Sequence, residues 1–289
     1  MMLDLFSDGA PSACWTTDLN GAGEEKLSLT LGRLNLSVAQ PGGDASEAIG
    51  TGALVWPAGP AVAQALMASG GGLLSPLLSN GRVIELGCGC SALPGVAMAL
   101  AGAAEVLVTD SAAIVAELRP NLAAYCAAED AVASSQSPGL LHDRIIAQVL
   151  AWDDPVALGA LARDERGRSV VLAADCDYAD ILHSILIDAV SAALSPTTSS
   201  IALFATAARC QRTLRLFLSR LNERGFATVE LSASLEEQES QPTQVVANDA
   251  VRYIAARWRS ADEAGAARAR FIADADLATA ALKTSVPVC

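Results

Sequence analysis

The segment Val83-Ile84-Glu85-Leu86-Gly87-Cys88-Gly89-Cys90 decides the fold of this chain. An apolar run, interrupted by one acid, leads directly into a Gly-x-Gly turn, which is typical of a buried parallel strand that ends in a tight turn. Because glycine has no Cβ, the backbone amides of such a turn can approach a ligand closely. The sequence therefore predicts a Rossmann-like nucleotide site at the carboxyl end of this strand, with Gly87, Cys88 and Gly89 at the ligand.

The acid before the turn bears on which ligand binds there. Gly87-x-Gly89-x-x-Ala92 also satisfies the permissive dinucleotide pattern, and Asp110 ends the next apolar run, where a ribose-binding carboxylate is expected. A dinucleotide, however, places a pyrophosphate at the turn, and the negative charge of Glu85 would oppose it. S-adenosylmethionine (SAM) has no phosphate and carries a sulfonium and an ammonium group. The sequence therefore favours SAM over NAD.

Apolar runs alternate with helical patterns along most of the chain. The predicted strands are 83–86, 105–109, 145–150, 170–174, 201–205, 227–231 and 251–256. Helices are predicted at about 94–101, 112–128, 179–194 and 210–223, and one more follows Trp56-Pro57 and extends to Met67. Strands that alternate with helices form a mainly parallel sheet. We therefore expect an α/β fold, a Rossmann-like seven-stranded sheet with helices on both faces.

The two ends of the chain differ from this central pattern. Residues 1–26 are rich in Gly, Ser and acidic residues and are predicted to form a flexible segment. From Lys26 to Ala39 apolar and polar residues alternate on both sides of Gly32-Arg33, which predicts a β-hairpin. The expected domain is 27–258, with polar stretches at 134–139 and 236–248, and residues 259–289 are expected to be a tail with a surface helix.

Charge and composition exclude several classes of protein. The net charge is −13 and the pI is about 4.5, so nucleic acid is not an expected partner, whereas an acidic surface favours encounter with a basic protein. No apolar run approaches the roughly 20 residues of a membrane span, and the start of the chain lacks the features of a secretory signal. We expect no membrane association and a cytoplasmic or nuclear location. Seven scattered cysteines argue against a disulfide framework, and Cys88-x-Cys90 lacks partners at zinc-ligand spacing, so no metal is expected.

Two tryptophans are candidates for the cofactor pocket. Trp152 follows the strand at 145–150 and precedes Asp153-Asp154-Pro155, so its ring can cover an adenine, although a large core residue beside a turn would give the same pattern. Trp56 can shape the wall near the methionine part of SAM, because aromatic faces attract cations such as a sulfonium. Asp110 has an alternative role as a helix N-cap, which Ser111 could also fill.

Together these segments resemble the family-16 methyltransferases, which are seven-stranded SAM enzymes, many of them acting on protein lysines. The resemblance rests on Val55-Trp56-Pro57-Ala58, Glu85 to Gly95, Thr109-Asp110, Asn121, Leu150-Ala151-Trp152 and Ala174-Asp175-Cys176-Asp177-Tyr178, and it extends from about Leu27 to about Trp258. Ser91-Ala92 stands where the family's loop usually has its third glycine. The resemblance implies an N-terminal hairpin, an antiparallel last strand, SAM as cofactor and a protein substrate.

The resemblance also implies roles for the end of the strand at 170–174. Asp175 and Tyr178 match an Asp-x-x-Tyr motif beside the methyl-acceptor channel, and Ala174 matches a backbone contact to SAM. Methylation of an amine needs the neutral lone pair, whereas a free lysine has a pKa near 10.4. A partly dry channel lowers that pKa, but a carboxylate stabilises the ammonium. Asp175 is therefore expected to dock and orient the amine and not to act as a strong base.

Other functions remain open at this point. The acceptor can be a protein lysine, an arginine or a small amine, because channel loops determine that choice. An interaction protein without turnover is opposed by the presence of Asp110, Trp152, Asp175 and Tyr178. An NAD-dependent oxidoreductase is disfavoured by Glu85 and by the lack of a Tyr-x-x-x-Lys pair. The histidines His142 and His183 are expected to be structural, with His183 on a helix surface.

Overall fold

Strands and helices alternate along the described part of the chain, which comprises residues 16–19, 24–41, 44–68, 74–132, 141–164, 167–197, 199–207, 210–231 and 251–284 of a computed structural model. The strands are β1 (Thr16–Leu19), β2 (Glu24–Leu31), β3 (Leu34–Pro41), β4 (Arg82–Leu86), β5 (Glu105–Asp110), β6 (Ile145–Val149), β7 (Val170–Ala174), β8 (Ile201–Ala207), β9 (Phe226–Leu231) and β10 (Val251–Trp258). The helices are α1 (Asp44–Ile49), α2 (Ala58–Ala68), α3 (Ser75–Leu78), α4 (Leu93–Leu100), α5 (Ala112–Val132), α6 (Leu141–Arg144), α7 (Pro155–Arg163), α8 (His183–Ala193), α9 (Gln211–Glu223) and α10 (Ala261–Thr284).

Seven of the described strands form the central sheet, in the order β6-β5-β4-β7-β8-β10-β9. Strands β4 to β8 pair in parallel, and β10 runs antiparallel to both β8 and β9. The sequence prediction of a Rossmann-like α/β fold with an antiparallel last strand is confirmed. The order reverses direction at β4 and β7, and ligands of open α/β sheets bind at the carboxyl ends of strands at such a switch point.

Apolar side chains cover both faces of the sheet, because neighbouring residues of a strand point to opposite sides. Val83 and Leu172 belong to a buried cluster with α2, α4 and α5, whereas Ile84 and Val171 belong to a second cluster with α8 and α9. Both faces are therefore buried, which explains why these strands read as continuous apolar runs and not as alternating ones.

The N-terminal sheet is larger than the predicted hairpin. Strands β2 and β3 pair as expected, with Leu31 opposite Leu34, but β1 adds a third strand antiparallel to β2. Residues 16–19 were predicted to be flexible, and this prediction is wrong. The four residues Thr-Thr-Asp-Leu are too few to show a period of two, and they are held by backbone pairing at the edge of the sheet.

Several helix boundaries also differ from the sequence predictions. Residues 179–182 form a turn, so α8 begins at His183, and α5 continues to Val132 with Pro120 inside it. Helix α7 was not predicted, although Asp154 caps it through the amides of Val156 and Ala157 and Pro155 occupies its first position. The predicted polar stretch at 134–139 and the insertion at 236–248 lie outside the described residues.

The C-terminal helix α10 packs against α7 and α8. Ala264 and Phe271 are buried in the same cluster as the residues of α8 and α9, and Arg270 pairs with Asp188 of α8 at 2.8 Å. Within the described ranges, no helix combines the length and the apolar character that a membrane span requires.

Replacement of Phe271 by alanine should lower the free energy of unfolding by about 3–5 kcal/mol, because it leaves a cavity between α10 and the helices beneath it. Replacement of the exposed Asp274 by alanine is the matched control and should change it by less than about 0.5 kcal/mol. Urea denaturation of both variants measures the difference. Equal free energies of unfolding for the two variants would show that α10 does not contribute to the core.

Candidate active site

The carboxyl ends of β4, β5 and β7 meet at one edge of the sheet. Leu86 of β4 is paired with Thr109 of β5 and with Ala173 of β7. The residues that follow, namely Gly87, Asp110 and Ala174, are therefore neighbours. The structure thus brings together the glycine turn, the proposed ribose carboxylate and the motif at the end of β7.

The glycine turn has no room for larger side chains. Gly87 has φ +64°, and a Cβ there would lie 2.6 Å from Cys176 Sγ and 3.0 Å from Cζ2 of Trp152. Gly89 has φ +61°, and its amide donates to Asp110 Oδ2 at 3.0 Å. Both positions thus require glycine for backbone conformation, and the ring of Trp152 lies next to Gly87.

Ala92 lies at the end of the loop, where the family resemblance leads us to expect a glycine. It is buried and adopts the left-handed conformation, with φ 45° and ψ 33°, immediately before α4. A non-glycine residue in this conformation costs about 1–3 kcal/mol. The loop therefore keeps a left-handed residue at this point in spite of the backbone strain.

Asp110 holds the turn in place through both carboxylate oxygens. Oδ2 accepts from Gly89 N, and Oδ1 accepts from Ser111 N at 2.7 Å. Burial raises the pKa of this carboxyl above its usual range, and the two amide hydrogen bonds oppose that shift. A carboxylate offers about four lone-pair positions, so two remain for a ligand such as the hydroxyls of a ribose.

Glu85 lies beneath the glycine turn and is fully buried. Its Oε2 accepts from Gly95 N in the first turn of α4 at 2.7 Å. Burial raises its pKa to about 8, with a smaller opposing effect of the Gly95 hydrogen bond. A dinucleotide pyrophosphate binds to amides at a helix N-terminus, and here one such amide is already taken by a carboxylate. The occupied amide therefore disfavours a pyrophosphate at this position, whereas the raised pKa weakens the sequence argument from the negative charge of Glu85.

Residues 51–58 lie across the glycine turn and complete the edge. Cys90 N donates to Gly52 O at 2.9 Å, and Cys90 Sγ donates to Ala53 O at 3.0 Å. The amide of Val55 donates to Gln40 Oε1 of β3 at 3.0 Å. This segment is thus fixed to the turn on one side and to the N-terminal sheet on the other.

Asn121 of α5 joins the N-terminal sheet to the glycine turn. Its side chain accepts from Ala39 N at 2.9 Å and donates to Ala39 O and Cys90 O at 2.8 Å each. Asn121 is part of the family resemblance, but the sequence alone predicted no role for it. Its function as a buried connector depends on contacts with residues 31 and 82 positions away, which a local pattern does not reveal.

Trp56 and Tyr178 stand at the mouth of the site. Trp56 Nε1 donates to the carbonyl oxygen of Thr51 at 2.8 Å, and the Tyr178 hydroxyl lies 3.3 Å from Thr51 Oγ1. The exposed fractions are 36% for Trp56 and 51% for Tyr178. Trp56 and Tyr178, which lie far apart in the sequence, therefore both contact Thr51.

A small cavity of about 50 Å³ opens beside Tyr178. It is lined by Asp175, Asp177, Tyr178, Thr206, Cys210 and Leu214, among others. Cys176 connects this cavity to the glycine turn, since its Sγ lies 3.4 Å from Leu86 O. The cavity is therefore adjacent to the predicted cofactor site.

His183 is buried and does not lie on a helix surface, so that prediction is wrong. Its Nε2 lies 3.0 Å from Asp177 O, and its ring meets Phe217 edge to face at 5.0 Å between centroids. The first turn of α8 faces the sheet, and the contact with the ring of Phe217 stabilises the buried imidazole there. The contact helps to fix the backbone of residue 177.

Comparison with known proteins identifies the family of this chain. The chain belongs to the lysine methyltransferase family, which matches residues 40–224, well over half of the chain. No curated protein sequence matches it as a relative.

Several solved structures are similar to this chain at low sequence identity. One, described as a methyltransferase complexed with S-adenosylhomocysteine (SAH), is 12% identical, with a TM-score of 0.50 over 83% of this chain and 57% of its own. Others are a protein from Pyrococcus horikoshii described as an RNA methyltransferase (15% identity, 69% and 84% covered, TM-score 0.40) and an O-methyltransferase family protein from Burkholderia thailandensis (11% identity, 70% and 58% covered, TM-score 0.45).

SAM is the methyl donor of this family, and the residues at the edge of the sheet fit such a cation. Asp110 lies beside the turn and accepts from Gly89 N, and the buried Glu85 lies behind the turn and accepts from Gly95 N. The residues proposed to hold SAM are those predicted from the sequence: Gly87, Cys88 and Gly89 at the turn, Asp110 at the ribose, Trp152 at the adenine, and Trp56 and the backbone of Ala174 at the methionine part.

Glu85→Gln should change how stability depends on pH. The pKa of Glu85 is raised in the folded protein, to about 8, so the folded state retains a proton that the unfolded state loses above its ordinary pKa of 4.5. Wild-type stability should thus fall between about pH 5 and pH 8, by up to about 1.4 kcal/mol per pH unit. The amide oxygen that this substitution introduces can still accept from Gly95 N.

The variant lacks this titrating proton, so its stability advantage over the wild type should grow with pH. Denaturant unfolding without SAM at several pH values measures this difference. Glu117→Gln, at an exposed position of α5, is the control for the substitution itself. A constant difference for Glu85→Gln would contradict the proposed burial of the carboxyl.

Asp110→Ala should weaken SAM binding by about 1.5–3 kcal/mol, because it removes hydrogen bonds from a charged group. Calorimetric titration with SAM measures the dissociation constant. The exposed Glu117→Ala is a matched loss of one carboxylate and should leave the constant unchanged. An unaltered constant in folded Asp110→Ala would remove Asp110 from the cofactor site.

Proposed function

We propose that this chain is a SAM-dependent N-methyltransferase that modifies the ε-amino group of a lysine in a protein substrate. The observation that carries the proposal is the small cavity at the end of β7, which combines two carboxylates and a phenol beside the glycine turn. The membership of the lysine methyltransferase family supports it.

The cavity suits an amine that must lose its proton before it reacts. SAM supplies an electrophilic methyl group on its sulfonium. The side chains of Asp175 and Asp177 are almost completely buried, and Tyr178 covers the outer side of the cavity. Burial lowers the pKa of an entering ammonium, while the carboxylates attract and orient it. Positioning of this kind can account for much of the acceleration of an in-line displacement.

The mouth of the site has the character of a protein-binding surface. Leu54, Trp56, Tyr178 and Ile181 are large apolar side chains that are at least a third exposed, and they lie on the two segments beside the cavity. Apolar surface of this kind marks contact sites for other macromolecules. A substrate that presents a lysine on a polypeptide segment would cover these residues, whereas a small amine would leave them exposed.

The charge of the chain bears on the partner. A net charge of −13 favours a basic protein and opposes RNA, since phosphate binding depends on Lys and Arg.

Labelling of a cell lysate with radioactive SAM tests the function. The wild-type chain should label a protein, and mass spectrometry should place the methyl group on a lysine side chain. The Asp110→Ala variant serves as a control for background labelling. Label on RNA, on a small molecule or on arginine would overturn the lysine proposal, and absence of transfer would overturn the enzymatic one.

Cys210 gives a chemical test of the acceptor cavity. It is exposed, lines the cavity and precedes α9, and hydrogen bonds from Thr213 and Arg212 lower its pKa. A bulky maleimide on Cys210 should therefore abolish methylation of the labelled substrate and leave the SAM dissociation constant unchanged. Cys210→Ser should retain activity after the same treatment. Full activity of a protein modified at Cys210 would show that the acceptor enters elsewhere.

A further inference from the structure

The carboxylate of Asp175 is committed to the backbone of two other elements. Oδ2 accepts from Ala58 N, the first residue of α2, at 3.0 Å, and Oδ1 accepts from Ala207 N, the last residue of β8, at 2.8 Å. Asp175 itself adopts the left-handed conformation with φ 53°, and its amide donates to Ala205 O at 2.7 Å. Strained residues of this kind persist where the surroundings fix them, and they concentrate at functional sites.

These bonds fix the position of Trp56. Ala58 follows Trp56-Pro57 directly, so the hydrogen bond to Asp175 holds the end of the segment that crosses the glycine turn. The other end of this segment is held by Gln40 and Cys90. The carboxylate therefore has a structural task on the cofactor side of the site, which loss of its charge would disturb.

Asp177 is in a different situation, although it lines the same cavity. Its carboxylate receives hydrogen bonds from the side chain of Thr206 and from its own backbone. Burial raises the pKa of this carboxyl above its usual range. By the count of about four acceptor positions both carboxylates retain capacity for an entering N–H group, so the two differ in their partners: Asp175 accepts from backbone amides of α2 and β8, and Asp177 from a hydroxyl and its own backbone. A desolvated acid beside Tyr178 and Cys210 is stabilised by a cation.

We propose that Asp177 is the carboxylate that contacts the acceptor amine, and that Asp175 is a positioning residue that sets the Trp56 segment and the end of β8. The proposal rests on the proposed amine methyltransferase function and divides the roles at that site. It places the contact with the amine two residues further along the chain than the Asp-x-x-Tyr resemblance implies.

The first test separates the cofactor side from the acceptor side. In Asp175→Asn an NH₂ group replaces one of the two carboxylate oxygens that accept from backbone amides. One hydrogen bond is therefore lost, and the NH₂ group and a backbone N–H, both donors, face each other. SAM binding should weaken by about tenfold at a temperature at which circular dichroism shows the variant folded. Hydrogen exchange at the amides of Ala58 and Ala207 should accelerate. Asp177→Asn should bind SAM within about twofold of the wild type.

The second test uses n-butylammonium as a minimal lysine side chain, with n-butanol as its neutral counterpart. In the presence of SAH, half-saturating butylammonium should slow the modification of Cys210 by a small maleimide by about twofold, and butanol should not. This protection should be lost in Asp177→Asn. Asp180→Asn, which removes a nearby charge from outside the cavity lining, is the matched control and should keep it.

The outcomes distinguish this proposal from the proposed function. Protection that survives in Asp177→Asn, or SAM affinity that is unchanged in folded Asp175→Asn, would overturn the division of roles. Loss of protection in Asp177→Asn with intact SAM binding supports it. A wild-type chain that transfers methyl groups to RNA or not at all would instead overturn the amine methyltransferase, because the butylammonium experiment does not depend on turnover.

Discussion

The parallel pairing of β4 with β5 and β7 is the constraint on which the site depends. It forces three chain segments to leave the sheet at the same edge, and each of them carries an acid at or near its end. Glu85, Asp175 and Asp177 are thus buried at this edge, and Asp110 is partly buried there. Such a concentration of acids disfavours an anionic ligand and favours cations. A sulfonium cofactor and an ammonium acceptor both satisfy this requirement.

The acids are held by amides, and this determines the shape of the site. Glu85 binds Gly95, Asp110 binds Gly89 and Ser111, and Asp175 binds Ala58 and Ala207. These bonds connect strand ends to a loop, to a helix start or, at Ala207, to the end of β8. The buried side chain of Asn121 extends the same principle to the N-terminal sheet. The loops around the edge are therefore fixed from the sheet outward, before any ligand binds.

The sequence predicted the sheet well because its signals are local. Continuous apolar runs marked strands with both faces buried, and Gly87 and Gly89 marked a turn with positive φ. Short polar elements were missed: Thr16–Leu19 has no readable period, and Asp154-Pro155 was read as a turn although it begins α7. The buried position of His183 was missed because nothing in the sequence around it indicates that the ring of Phe217 packs beside it. The partners of Asp175 lie 117 and 32 positions away, so its contacts became visible only in the fold.

A crystal structure with bound SAH would show whether the edge formed by β4, β5 and β7 binds the cofactor. We expect the ribose hydroxyls within hydrogen-bond distance of Asp110, the adenine against the ring of Trp152, and the sulfur facing the cavity beside Tyr178. SAH bound away from this edge, or bound there with its ribose remote from Asp110, would show that the edge is not the cofactor site described above.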